Sequence, residues 1–126
     1  LLLGASSLSP LGDLGMNNKL VIIISSGDAG KAHAGTTYAV NALKYAWMEE
    51  VKLYFFGPAE ALLLTDKKLQ ALLVEYQTEN ETAIACKYVA EEGDIVDAFS
   101  ALGVPVQYIG EQISTLIKDG YTPLVW

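Results

Sequence analysis

Cys86 is the one thiol in this chain of 126 residues, and His33 is its one imidazole. Cys86 closes the apolar run TAIAC (82–86) and is followed at once by KYVAEE (87–92), a stretch able to form a helical turn. A thiol at a helix N-terminus meets the positive end of the peptide dipoles and unpaired backbone N–H groups. Both favour the thiolate, the nucleophilic form of cysteine. Lys87 adds positive charge beside it. A single cysteine rules out an intramolecular disulfide, a CxxC redox pair and a cysteine-built zinc cluster. Three fates stay open: a buried small hydrophobe, a lone reactive thiol, or half of an intermolecular bond.

His33 sits in GKAHAG (30–35), at the start of a helical stretch, where it can act as a proton shuttle or an anion contact. No second histidine exists to share a metal, and an ordinary surface or capping histidine is the plainer alternative. SSGDAGK (25–31) invites comparison with a phosphate-binding loop. It fails in detail: Ser25 stands where the first glycine belongs, and Ala32 replaces the magnesium-binding hydroxyl residue. No GxGxxG is present either. The neighbouring acids Glu49-Glu50 and Glu91-Glu92 point apart on a helix and read as solvated charge.

The elements that must position these residues follow from periodicity. LVIII (20–24) is a near-continuous apolar run, the signature of a parallel strand buried on both faces. Ala39, Val40, Leu43, Ala46 and Trp47 recur at helical spacing and place Trp47 on a core-facing stripe. VKLYFF (51–56) reads as the second strand, ended by Gly57-Pro58, and Pro58 suits the first turn of a helix carrying Leu62, Leu63 and Leu64. Asp66 can cap a further helix bearing Leu69, Leu72, Leu73 and Tyr76. TAIAC is the third strand. Ile95, Ala98, Phe99 and Leu102 predict another helix, closed by Gly103. Residues 104–109 form the fourth strand, Ile113, Leu116 and Ile117 the last helix, stopped by Gly120. Residues 121–126 form a fifth strand, which Pro123 puts at an edge.

Five strands alternating with helices predict a three-layer α/β/α sandwich on a five-stranded, mainly parallel sheet. Ligands of such sheets bind beyond the carboxyl ends of the strands. That rule selects Ser26, Gly27 and Asp28, then Gly57 and Pro58, then Cys86 and Lys87, then Gly110, all on one rim. Residues 1–15 stand apart as an N-terminal extension or arm, and 16–126 form one domain. The segment lacks Lys and Arg, so it does not read as a secretory signal.

Composition narrows the partners. Eight basic and fifteen acidic residues give a net charge of −7, opposite to the basic stripe that nucleic acid or anionic lipid requires. No apolar run approaches the roughly 20 residues of a membrane helix. Lone cysteine usage fits a reducing, cytoplasmic setting. Hydrophobic residues reach 52% against 18% charged, apolar for so small a domain, and that surplus predicts self-association.

In their order, these pieces resemble the DsrE/DsrF-like family, which includes the YchN-like and TusD-like sulfur-relay proteins. The resemblance runs from Lys19 to Trp126. VKLYFFGPAEALLL (51–64) is similar to the family's second strand and following helix. AIACKYVAEEGDI (83–95) places Cys86 where the family's sulfur-carrying cysteine stands, and GVPVQYIGEQISTLIKDGYTPLVW (103–126) looks like its closing strand–helix–strand. The resemblance implies a trimer or hexamer, a persulfide held on Cys86 and exchanged with sulfur donor and acceptor proteins, and no metal or organic cofactor. Lys87 and His33 become candidate stabilisers of the persulfide anion. Two other readings stand beside it: a small-ligand or nucleotide-binding module built on the 25–30 loop, and a non-catalytic subunit with Cys86 buried.

Overall fold

A computed structural model describes residues 18–126; the expected N-terminal extension or arm, 1–15, lies outside the described residues. β1 (Lys19–Ile24) leads through a loop to Asp28, whose carboxylate accepts a hydrogen bond from the Lys31 amide at 3.0 Å and caps α1 (Ala29–Lys44). β2 (Glu50–Phe55) is followed by Gly57, whose φ of 77° turns the chain into α2 (Ala59–Thr65). Asp66 caps α3 (Lys67–Gln77) through the Lys68 amide at 3.2 Å. Then follow β3 (Ile84–Cys86), α4 (Lys87–Glu92), a 3-10 segment (Val96–Leu102), β4 (Val106–Gln107), α5 (Gly110–Lys118) and β5 (Thr122–Val125).

The sheet order is β4-β3-β2-β1-β5, with every neighbouring pair parallel. This is the predicted α/β architecture, and β5 lies at an edge as Pro123 required. Three successive right-handed steps in one direction put α1 to α4 on one face; the return from β4 to β5 puts α5 alone on the other. Alternation along the strands therefore builds two cores of unequal size. Leu20, Ile22, Ile24, Leu53 and Phe55 join α1 to α3 in the larger one. Val21, Tyr54, Cys86, Ile109 and Tyr121 form the smaller one, roofed by Ile113 and Leu116 of α5. No residue of α5 is itself fully buried.

Several expectations need correction. Trp47 is 56% exposed, not core-facing, because α1 stops at Lys44 and Ala46 turns at a φ of 56°. Its ring lies against Tyr45 and Tyr38 instead, at 5.7 and 6.1 Å. The Ile95–Leu102 spacing gives a 3-10 segment and not an α-helix. It is pinched between left-handed residues, Asp94 (φ 56°) and Gly103 (φ 69°), and only Phe99 anchors it fully. β4 shrinks to two residues, since Pro105 has no N–H to give and Val104 is bonded back to Phe99. Leu62, Leu63 and Leu64 of α2 pack into the larger core. No helix among the described residues is long and apolar enough to cross a membrane.

Candidate functional site

Of the predicted rim residues, Cys86 and Gly110 line a cavity of about 370 Å³ on the α5 side of the sheet, whereas Ser26, Gly27, Asp28, Gly57, Pro58 and Lys87 are not in its wall. Cys86 forms part of its wall, at the end of β3 and the N-cap position of α4. Phe56 closes it from the end of β2, Tyr88 from α4, and Tyr108, Ile109 and Gly110 from the β4–α5 loop; Ile23 and Ile113 complete the wall. Cys86 is 5% exposed, so the cavity is the setting of a thiol nearly enclosed by aliphatic and aromatic groups. Phe56, Tyr88 and Tyr108 are exposed on their outer sides. A larger cavity, about 650 Å³ and lined by Lys52, Tyr54, Glu111 and Gln112 among others, lies along α5 and has no thiol in its wall.

α4 positions one wall from both ends. The Tyr108 hydroxyl donates to Glu91 at 2.9 Å, and the Lys87 ammonium lies 5.2 Å from the Tyr108 ring centre. The Glu91 bond holds the Tyr108 phenol above its ordinary range, with burial adding to it. Lys87 is therefore engaged with the cavity's aromatic rim. Tyr54, beside Cys86 in the smaller core, donates to Gln112 at 3.0 Å and ties α5 to β2.

Beneath the rim lies a residue that the periodicity did not single out. Glu60, in the first turn of α2, has no solvent exposure, and neither carboxyl oxygen makes a hydrogen bond. Burial pushes its carboxyl from the usual 4.5 up to about 7, opposed by the main-chain amides of Cys86 and Gly57 close beside it. Its signal, an acid inside the apolar stretch AEALLL, was masked because acids are ordinary in a first helical turn. Phe56, Tyr88 and Tyr108 also went unmarked, although each lies within two residues of the end of a strand.

The other predicted residues lie elsewhere or have other partners. His33 Nε2 is 2.6 Å from the Asp66 carboxylate, joining α1 to the N-cap of α3, and is not part of the cavity wall. Ser26 Oγ accepts from the Asp28 amide at 3.0 Å. The Asp28 carboxylate itself fills the anion seat at the N-terminus of α1, where a phosphate would have to sit. Gly27 packs against Pro58 so closely that a Cβ would come within 3.0 Å of the proline ring. The crevice between β1 and β5, where the strand order reverses, is closed as well. The Trp126 carbonyl accepts from the Ser25 and Ser26 amides, and its ring covers Gly35, where a Cβ would stand 2.6 Å away.

No known family's sequence profile matches the chain, and no curated protein matches it in sequence. Solved structures do share its fold. The conserved protein of unknown function BT1422 from Bacteroides thetaiotaomicron is 22% identical at a TM-score of 0.76, over 86% of this chain and 95% of that one. The YchN protein from E. coli is 12% identical at a TM-score of 0.66, over 86% of this chain and 99% of that one. At such identities the likeness establishes the fold, a YchN-like α/β domain with a five-stranded parallel sheet.

Proposed function

We propose that this chain is a sulfur carrier that holds a persulfide on Cys86 and passes it to a partner thiol, a sulfurtransferase-like activity. The observation that carries this reading is the position of the only thiol in the wall of an apolar cavity on the strand rim. The YchN-like fold supports it. The Cys86 thiolate attacks the outer sulfur of a donor persulfide, R–S–SH. The new S–S bond gives Cys86–S–SH as the donor's S–S bond breaks, and the donor sulfur leaves as thiolate. A second exchange delivers the outer sulfur to the acceptor thiolate. Atoms and electrons balance, and the exchange needs no metal or organic cofactor. An enclosed apolar wall suits a reactive persulfide by limiting access of water and oxidants.

Incubation with polysulfide is expected to add the mass of one or more sulfur atoms to the intact protein. The adduct should be removed by cyanide or dithiothreitol and be absent in Cys86→Ser. Equal mass gain in wild type and variant, or none in either, eliminates the carrier reading.

The same reading takes the working form as a trimer or hexamer, assembled through the α5 side of the sheet. One nine-residue helix roofs that face, and Phe56, Tyr88, Tyr108, Ile117 and Val125 are exposed among the described residues. Association would cover these exposed apolar side chains. Light scattering at micromolar concentration should return three or six chain masses; a single chain mass would remove the assembly.

A further inference from the structure

The wall of the Cys86 cavity is uniform in its chemistry. Ile23, Ile109 and Ile113 supply aliphatic surface, Phe56, Tyr88 and Tyr108 supply aromatic surface, and almost none of the area facing the cavity is polar. Among the described residues, the wall includes no Lys, Arg, His, Asp or Glu. Two charged groups stand close by, and both are engaged. Glu91 accepts from the Tyr108 hydroxyl at 2.9 Å, and the Lys87 ammonium lies 5.2 Å from the Tyr108 ring centre, outside the wall. A volume of about 370 Å³ holds about a dozen non-hydrogen atoms at roughly 30 Å³ for each water-sized group. That is room for a small molecule.

We propose that this cavity selects an uncharged apolar group, so that the sulfur donor of Cys86 is a small neutral persulfide, R–S–SH. R is then an aliphatic or aromatic group of up to about ten non-hydrogen atoms. This deepens the carrier reading and rests on it. The Cys86 thiolate forms the new S–S bond to the outer sulfur, the donor's S–S bond breaks, and R–S⁻ leaves with the electron pair. One negative charge thus moves from Cys86 to the leaving sulfur. A second charge, carried on R, would enter a wall that offers it no partner, and burying an unpaired charge is costly. An uncharged R instead leaves water for carbon surface, which favours its binding.

Methanethiosulfonate reagents, which place an R–S group on a thiol, test the wall without any persulfide. Neutral benzyl, anionic 2-sulfonatoethyl and cationic 2-(trimethylammonio)ethyl reagents are compared on the native protein. Each rate at Cys86 is divided by the rate in the urea-unfolded chain, which removes intrinsic reactivity. The benzyl reagent should then exceed both charged ones by about 10- to 100-fold, the gain for burying one aromatic ring. Equal normalised rates overturn the proposal. So does the order cationic, neutral, anionic, which is the steering that a net charge of −7 alone would give. Tyr88→Lys puts a cation at the wall in place of a side chain already 61% exposed, so the fold should tolerate it. It should raise the sulfonatoethyl rate several-fold relative to benzyl; an unchanged ratio overturns the proposal. Sulfur uptake from benzyl persulfide and from 2-sulfonatoethyl persulfide, read by intact mass, separates this inference from the carrier reading. Uptake at equal rates overturns the neutral donor while the carrier stands. A neutral preference among the thiosulfonates with uptake from neither persulfide refutes the carrier while the apolar selectivity stands.

Discussion

Replacing Glu60 by Gln flattens the pH dependence of stability between about pH 4.5 and pH 7. In the folded chain, burial raises this carboxyl to about 7, while in the unfolded chain it titrates near 4.5. Between those values the native state binds the extra proton, so stability falls as pH rises and levels off above the folded value. The loss amounts to about 3 kcal/mol at most. Below pH 4.5 the acid is neutral in both states, and Glu60→Gln should match wild type within about 1 kcal/mol. Above pH 7 the variant should be the more stable by up to the full difference. Urea unfolding at pH 4, 6 and 8 measures this directly. Parallel stabilities for the two proteins across that range would show that Glu60 ionises as freely in the fold as outside it.

Phe55 and Phe56 are neighbours in sequence, yet their loss should differ several-fold in cost and differ in kind. Phe55 is fully buried in the larger core, and Phe55→Ala is expected to destabilise by about 3–5 kcal/mol through lost transfer energy and the cavity left behind. Phe56 lies just past β2, on the wall of the Cys86 cavity and 42% exposed. Phe56→Ala should cost no more than about 1 kcal/mol. It opens the cavity, however, so native-state labelling of Cys86 should accelerate while the unfolding midpoint barely moves. In Phe55→Ala any faster labelling should follow the loss of stability. Similar costs for the two variants, or unchanged labelling in Phe56→Ala, would remove Phe56 from the cavity wall.

Much of the fold was legible because it rests on local chemistry. Apolar β-branched runs mark the strands, and Asp66, Gly103 and Gly120 mark helix boundaries through their own side-chain and backbone preferences. Errors fell where local periodicity was extended past a stop, as at Trp47, or where two geometries share a spacing, as in the 3-10 segment. An i, i+3 recurrence alone does not distinguish them.

By itself, then, the amino-acid sequence determined the alternation of strands and helices, the parallel sheet, and the placing of its only thiol at a strand–helix junction. Tertiary structure decided what surrounds that thiol. The cavity wall draws on β1, the ends of β2 and β3, and the start of α5, parts brought together by strand order and crossover hand. The same long-range packing joined His33 to Asp66 and enclosed Glu60 beside the Cys86 amide. Burial and through-space charge depend on which distant segments cover a residue, and spacing along the chain carries no record of that.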